Sequence, residues 1–183
     1  VVVDEKTEPQ QQLDIVNYFI KQNLIVLPMD NTKDNEKLKQ FIDEAHNFNL
    51  AVNMDVVFNH VYIHETFSLG QITPGYVYRT DERGFLMNSS YCGNDIRTEA
   101  LMNRKYIIDC VKLYMTVYRV DGFRFDLASV LCRDEKGFLL NEPSLTRRIS
   151  EDPILKNTKI IAEPWDCAGL YQLGGLPGGN NNR

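Results

Sequence analysis

The sequence predicts an α/β fold in which helices cover a parallel sheet. Apolar runs of strand length alternate with segments of helical periodicity, which is the order of strand–helix–strand units. The strand-like runs are nearly continuous in Val, Ile, Leu and Phe, as is usual for parallel strands that are buried on both faces. A length of 183 residues without a visible linker or long-period repeat indicates one domain.

Four strands are predicted from apolar runs, and the amino-terminal "VVVD" is a candidate fifth. The four are "LIVLPM" (24–29), "LAVNMDVVFNH" (50–60), "YRVDGFRFDLA" (118–128) and "TKIIAEPWD" (158–166).

Helices are predicted where apolar residues recur three or four positions apart. The first covers 11–22, and a weaker one covers 145–149. Another starts at Asp34, and its apolar stripe is formed by Leu38, Phe41, Ile42 and Ala45. The remaining helix is predicted from the apolar residues Leu101, Ile107, Ile108, Val111 and Tyr114. The polar stretch 61–97 is predicted to be a long loop.

Composition excludes several classes of protein. The net charge of −5 argues against broad affinity for nucleic acid, and no apolar run has the length of a membrane span. The four cysteines have irregular spacing without a C-x-x-C pair, so neither a zinc site nor a disulfide framework is expected. The opening "VVVDEKTEPQ" lacks the features of a signal peptide, which favours a cytoplasmic or plastid location over secretion.

Polar clusters stand at the carboxyl ends of three successive predicted strands. They are "DVVFNH" (55–60), "GFRFD" (122–126) and "AEPWD" (162–166). Ligands of parallel α/β folds bind beyond these strand ends, so three clusters on one rim predict a functional site. Strand alternation places Arg124 and Asp126 on one face, with Phe123 and Phe125 on the other.

These three segments resemble the first three signature regions of the α-amylase family of glycoside hydrolases (glycoside hydrolase family 13). The likeness is strongest to its debranching branch, which comprises isoamylase, pullulanase and glycogen debranching enzymes. "YCGND" (91–95) looks pullulanase-like and "EDPILKNTKIIAEPWDCAGLYQLGG" (151–175) looks isoamylase-like. The match covers about residues 36–175, and the three motifs in this order are far more specific than any one alone.

The resemblance implies a (β/α)8 barrel, of which residues 1–175 supply about four to five strands, followed by a disordered tail at 176–183. It also implies retaining hydrolysis of α-1,6 branch linkages in starch or glycogen. The implied partner is a branched α-glucan, and no cofactor, metal, nucleic acid or membrane is implied.

The resemblance assigns roles to six residues. Asp126 matches the nucleophile, Glu163 the general acid/base and Arg124 the arginine beside the nucleophile, while Asp55, Asn59 and His60 match residues that position substrate and organise the site. Trp165 is a further candidate for substrate binding, because it follows closely after the rim carboxylate.

Elementary chemistry agrees with these roles. The charge of Arg124 favours the ionised form of Asp126, and an apolar neighbourhood formed by Pro164 and Trp165 is expected to favour protonated Glu163. Phe58 and Tyr62, like Trp165, offer faces for stacking on sugar rings.

Alternatives remain open at this level. Arg124 and Asp126 also suit a structural ion pair, and the spacing of His60 and His64 suits a metal site only weakly, because "HETFS" lacks a second histidine. The family's fourth signature, a histidine–aspartate pair, has no counterpart here, so we expect little activity from this chain alone. A glucan-binding remnant without catalysis, an α-1,4-acting amylase or glucanotransferase, and more weakly an unrelated barrel lyase are the competing functions.

Overall fold

The computed structural model describes residues 2–3, 27–28 and 35–177. Its strands are β1 (Val2–Val3), β2 (Leu27–Pro28), β3 (Asn53–Val56), β4 (His60–Val61), β5 (Asn94–Asp95), β6 (Gly122–Phe125) and β7 (Lys159–Ala162). Its helices are α1 (Asn35–Asn47), α2 (Ser68–Ile72), α3 (Leu101–Val117) and α4 (Ser144–Glu151). Short 3₁₀-helices cover His64–Thr66, Ala128–Cys132 and Leu155–Asn157.

The sheet topology is parallel, as the sequence predicts. Strand β6 is central, with β3 on one side and β7 on the other, and all three run in the same direction. Strands β1 and β2 form a second parallel pair, so the candidate strand "VVVD" is confirmed at its second and third residues. Among the described residues these strands do not close into a barrel, and the confirmed level of the fold is a parallel α/β arrangement.

The core lies between one face of this sheet and the helices. Phe123 and Phe125 of β6 are 0% and 3% exposed, and they cluster with Ile42 of α1, Ile107 of α3 and Leu145 of α4. Burial of one such side chain stabilises a fold by about 1.5–3 kcal/mol. The alternation predicted for β6 is thereby confirmed on its apolar side.

The helices fall where periodicity predicts them, with differences in detail. The stripe of α1 is buried or packed against the core at all four predicted positions, but Leu101, at the first turn of α3, is exposed. The predicted helix over 11–22 lies outside the described residues. No helix among residues 35–177 combines the length and the apolar character that crossing a membrane requires.

The segment 50–60 differs from the single long strand that its composition predicts. The parallel ladder of β3 ends at Val56, and His60 and Val61 instead pair antiparallel with Asp95 and Asn94. The Ile96 amide donates to the Asn59 carbonyl at 2.9 Å, which draws the chain away from the sheet. Consequently 61–97 is an ordered excursion with a helix and a strand, and the prediction of a long loop is wrong in that respect.

The carboxyl terminus is partly packed. Leu176 contacts the core and the Thr146 hydroxyl donates to the Pro177 carbonyl at 3.0 Å. The other six residues of the predicted tail, 178–183, lie outside the described residues.

Gly122 lies where β3 and β7 approach β6 closely, and replacing it with alanine is expected to destabilise the sheet. A Cβ atom there would meet the Asn53 side chain of β3 and lie 2.7 Å from the Lys159 carbonyl oxygen of β7. We expect Gly122→Ala to lower the free energy of unfolding by about 1–3 kcal/mol, as measured by urea denaturation.

Gly175→Ala is the matched control, because nothing lies within 4 Å of a Cβ atom at that position. Equal unfolding midpoints for the two variants would contradict the proposed crowding at Gly122.

Candidate active site

The carboxylates of three neighbouring strands converge at one rim of the sheet. Asp55 of β3 lies directly beside Arg124 of β6 in the strand register. Asp126 follows β6, and its amide donates to the Val56 carbonyl at 3.1 Å. Glu163 follows β7, and its amide donates to the Phe125 carbonyl at 3.0 Å. Both ladders therefore continue past the strand ends and bring Asp126 and Glu163 to the same edge.

The Arg124 guanidinium is the centre of this group. Its Nη1 lies 2.9 and 2.7 Å from the two carboxylate oxygens of Asp55 and 3.9 Å from Oδ1 of Asp126. Its Nη2 lies 2.9 Å from Oε1 of Glu163. Burial by itself lowers the pKa of Arg124, but the hydrogen bond to Asp55 and the three carboxylate charges raise it on balance. One guanidinium on the polar face of β6 thus contacts three carboxylates.

Asn59 orients the Asp126 carboxylate. It is 0% exposed, and its Nδ2 donates to the Asp126 backbone carbonyl at 2.6 Å and to Oδ2 of the same residue at 2.9 Å. Its Oδ1 pairs with Nδ1 of His60. Because the Asn59 amide nitrogen is already a donor to Asp126, its oxygen is the acceptor, and Nδ1 of His60 carries the proton.

His60 is held as a neutral imidazole by its surroundings. Burial lowers the pKa of His60, and the negative charges of Asp126 and Asp95 offset only part of that shift. With the proton on Nδ1, the Nε2 atom of His60 is left as a hydrogen-bond acceptor.

A tight turn after Asp126 fixes Glu163. Leu127 adopts a left-handed conformation with φ of 37°. Its amide donates to Oε2 of Glu163 at 2.9 Å, and the next amide, that of Ala128, donates to the Glu163 backbone carbonyl at 2.8 Å. The left-handed turn, which carries a strain cost in a leucine, thus clamps both the side chain and the main chain of Glu163.

The environment of Glu163 differs from the apolar one predicted from Pro164 and Trp165. Its carboxylate contacts the Arg124 guanidinium and the Leu127 amide instead. The Trp165 ring lies parallel to that of Tyr171, with centroids 6.3 Å apart, and the two are 38% and 72% exposed.

The aromatic residues predicted to stack on sugar rings differ in exposure. Phe58 is partly buried and packs against Phe125, with ring centroids 6.3 Å apart, and sugar stacking by Phe58 stays a prediction. Tyr62 is largely exposed. The His64 ring lies edge-on to Tyr78 and pairs with Glu65. Its partners therefore differ from those of His60, which pairs with Asn59.

Two contributors to the site carry no recognisable sequence signal. The Leu127 turn is one, because a leucine gives no hint of a positive φ. The other is a set of buried charges centred on Arg79 in the segment predicted as loop. The charged sequence "YRTDERG" around Arg79 is typical of a solvent-exposed segment. The burial of the Arg79 side chain is evident only from the fold.

Comparison with known proteins shows that this chain is similar to debranching enzymes. No protein-family model matches the chain. It is 37% identical over 157 residues to isoamylase 3, chloroplastic, of Oryza sativa subsp. japonica, covering 78% of this chain and 19% of that protein. It is 46% identical over 141 residues to the pullulanase of Bacillus subtilis (strain 168), covering 77% of this chain and 18% of that protein.

Solved structures agree with the sequence comparison. The crystal structure of pullulanase type I from Bacillus subtilis str. 168 complexed with maltose superposes with a TM-score of 0.60 at 38% identity, over 73% of this chain and 18% of that one. The chain therefore spans about a fifth of the length of these relatives. By sequence and by structure, this chain belongs to the debranching branch of the α-amylase family.

Proposed function

We propose that this chain is the catalytic-core segment of an enzyme that hydrolyses α-1,6 branch linkages of starch or glycogen with retention of configuration. The observation that carries the proposal is the single Arg124 guanidinium that contacts the carboxylates of both Asp126 and Glu163. It keeps two carboxyl groups from adjacent strands on one side of the sheet. Retaining glycosidases need such a pair about 5–5.5 Å apart across the scissile bond.

In the first step, an Asp126 oxygen attacks the anomeric carbon and forms a glycosyl ester. The bond from that carbon to the glycosidic oxygen breaks, and the leaving oxygen takes a proton from Glu163. In the second step, Glu163 removes a proton from water, the water oxygen attacks the anomeric carbon, and the carboxylate of Asp126 is released. The Arg124 guanidinium lies 3.9 Å from Oδ1 of Asp126, beside the reacting carboxylate.

The contacts of Glu163 define what must change for it to act as an acid. One oxygen forms an ion pair with the Arg124 guanidinium, and the other accepts a hydrogen bond from the Leu127 amide. A protonated Glu163 has to release one of them in order to donate to the glycosidic oxygen. The Arg124 contact is the one to open, because Nη1 of Arg124 keeps both oxygens of Asp55 as partners.

The other rim residues suit substrate binding. The neutral Nε2 of His60 accepts a hydrogen bond from a sugar hydroxyl, while Asn59 and Asp55 hold Asp126 and Arg124 in place. Trp165 presents a partly exposed ring directly after the catalytic edge, which suits stacking on a sugar. The similarity to isoamylases and pullulanases supports α-1,6 specificity, a (β/α)8 barrel and, through the chloroplastic relative, a plastid location.

A glucan-binding remnant without catalysis is the second candidate. The observation in its favour is that both Glu163 oxygens are occupied, one by the Arg124 guanidinium and one by the Leu127 amide, so that neither faces a substrate oxygen freely. Bound glucan without product, unchanged by substitution of Asp126 or Glu163, is the signature of this alternative.

Substitution of the two carboxylates separates their roles in a chimera in which residues 36–175 replace the matching segment of Bacillus subtilis pullulanase. We expect Asp126→Asn to lower kcat by about 10⁴-fold or more on both pullulan and a nitrophenyl α-maltotrioside. Glu163→Gln is expected to lower it by about 10²–10⁴-fold on pullulan but far less in the burst phase with the nitrophenyl glycoside, whose leaving group needs no proton.

Asp43→Asn and Glu142→Gln are isosteric controls at carboxylates that pair only with surface arginines. Release of maltotriose from pullulan is followed by chromatography. An active chimera in which Asp126→Asn or Glu163→Gln behaves like these controls is incompatible with the assigned roles.

The depressed pKa of His60 predicts a contribution to acid lability of the fold. As pH falls through the ordinary histidine pKa of about 6.5, the unfolded chain takes up a proton that native His60 does not, so stability decreases. We expect the urea midpoint to fall less between about pH 7 and about pH 5 in His60→Gln than in the unsubstituted chain.

His64→Gln, at a partly exposed histidine that pairs with Glu65, is the control for this pH series. Identical pH dependence of the midpoint in His60→Gln and the unsubstituted chain would show that His60 is not held neutral by the fold.

A further inference from the structure

A buried set of charges lies behind the rim and is not part of the chemistry described above. We call it the Arg79 cluster, and its members are Arg79, Asp95, Glu99, Arg133 and Asp166. Arg79 and Asp95 are each 0% exposed. Removing charged groups from water is costly, so a cluster this deep calls for a specific role.

The Arg79 guanidinium bridges two parts of the chain. On one side it contacts Asp95 Oδ2 at 3.2 Å and Glu99 Oε2 at 3.3 Å. On the other it donates to the Arg133 carbonyl at 3.1 Å and, over a longer 3.5 Å, to the Val130 carbonyl.

The first side of this bridge leads to His60 and Asn59. Asp95 lies opposite His60 in the β4–β5 pair, and its Oδ1 accepts from the Ser89 amide at 2.8 Å. The adjacent Ile96 amide donates to the carbonyl of Asn59, which orients Asp126.

The second side of the bridge leads to the turn that clamps Glu163. Val130 and Arg133 belong to or directly follow the 3₁₀-helix Ala128–Cys132, which begins immediately after Leu127. Thr98, which directly follows the segment 61–97, adds a third bond to this helix. Its hydroxyl donates to the Leu131 carbonyl at 3.1 Å. Three carbonyls of one short segment, those of Val130, Leu131 and Arg133, are thus bound by Arg79 and Thr98.

The segment after β7 is fixed through the same cluster. The Arg133 guanidinium contacts Asp166 Oδ2 through Nε at 2.8 Å and Nη2 at 2.7 Å. The other oxygen of Asp166 accepts from the amides of Ala168 and Leu170, both at 3.0 Å. The turn that follows Trp165 is therefore tied to the carboxyl end of the 3₁₀-helix.

We propose that Arg79 is a positioning residue for the proposed glycosidase reaction, on which this inference rests. Its planar fork locks the 3₁₀-helix after Asp126 against the strand pair that carries His60, and so sets the Leu127 turn that holds Glu163. Geometry at this level governs rate, because a displacement of about 1 Å at the reacting groups costs up to about 10²-fold.

Arg79→Lys tests the fork separately from the charge. Lysine keeps a cation beside Asp95 and Glu99, but a point charge cannot also hold both carbonyls in the fixed geometry of a guanidinium. Arg147→Lys is the matched control, because Arg147 is exposed and pairs only with Glu142 and Glu151.

The first readout is amide hydrogen exchange on the 183-residue chain, which needs no activity. We expect the Leu127 amide to exchange roughly tenfold or more faster in Arg79→Lys, with the Val111 amide in α3 unchanged as a reference for global unfolding. Arg147→Lys is expected to leave both amides unchanged. Unchanged Leu127 exchange, or equal acceleration of both amides, would overturn the inference.

The second readout is kinetic and uses the pullulanase chimera. Arg79→Lys is expected to lower kcat by roughly tenfold to a hundredfold with KM changed less than about twofold, a split that lost stability alone does not produce. An inactive unsubstituted chimera refutes the proposed function, whereas the exchange experiment still decides the role of Arg79. A fall in kcat/KM that comes only from a raised KM would count against a positioning role of Arg79.

Thr98→Val decides the question if Arg79→Lys fails to fold. It removes the bond to the Leu131 carbonyl without changing charge. We expect the Leu127 amide to exchange faster in Thr98→Val, by a smaller factor than in Arg79→Lys. Unaltered exchange at Leu127 would contradict the proposed bridge.

Discussion

The site depends on one cation shared among three anions. Arg124 lies on the central strand of a three-stranded parallel sheet, and the carboxylates it contacts come from that strand and from both of its neighbours. Without it, three negative charges would face one another at close range on a partly shielded surface, which like-charge repulsion disfavours. The strand register, the rim position of Asp126 and the approach of Glu163 bring all three carboxylates within reach of this one cation.

The opposite face of the same strand supplies the rigidity that this arrangement needs. Phe123 and Phe125 are buried among α1, α3 and α4, so β6 cannot shift without exposing the core. Gly122 allows the neighbouring strands to approach closely at the other end of β6. A four-residue strand thus combines an apolar anchor and a charged working face, which is what period-two alternation makes possible.

The sequence predicts the parts of this account that depend on local pattern. The alternation in "GFRFD" predicts both the buried phenylalanines and the position of Arg124 on the opposite face, and apolar spacing predicts the helices at 35–47, 101–117 and 144–151. Long-range choices lie beyond such patterns. The path of Asn59 away from the strand is decided by Asp126, 67 residues away, and the left-handed turn at Leu127 by Glu163, 36 residues away. The burial of Arg79 is decided by partners 16 to 54 residues away. The apolar setting predicted for Glu163 was wrong for the same reason, because Arg124 reaches it across a strand boundary.

The most direct measurement of the central claim is covalent trapping. A 5-fluoro glycosyl fluoride slows hydrolysis of the glycosyl ester, and mass spectrometry of peptides from the treated pullulanase chimera then locates the label. The account predicts one sugar adduct on Asp126, formed in the unsubstituted chimera and absent from Asp126→Asn. An adduct on Asp55 or Glu163, or turnover of the reagent without any label on Asp126, would contradict it.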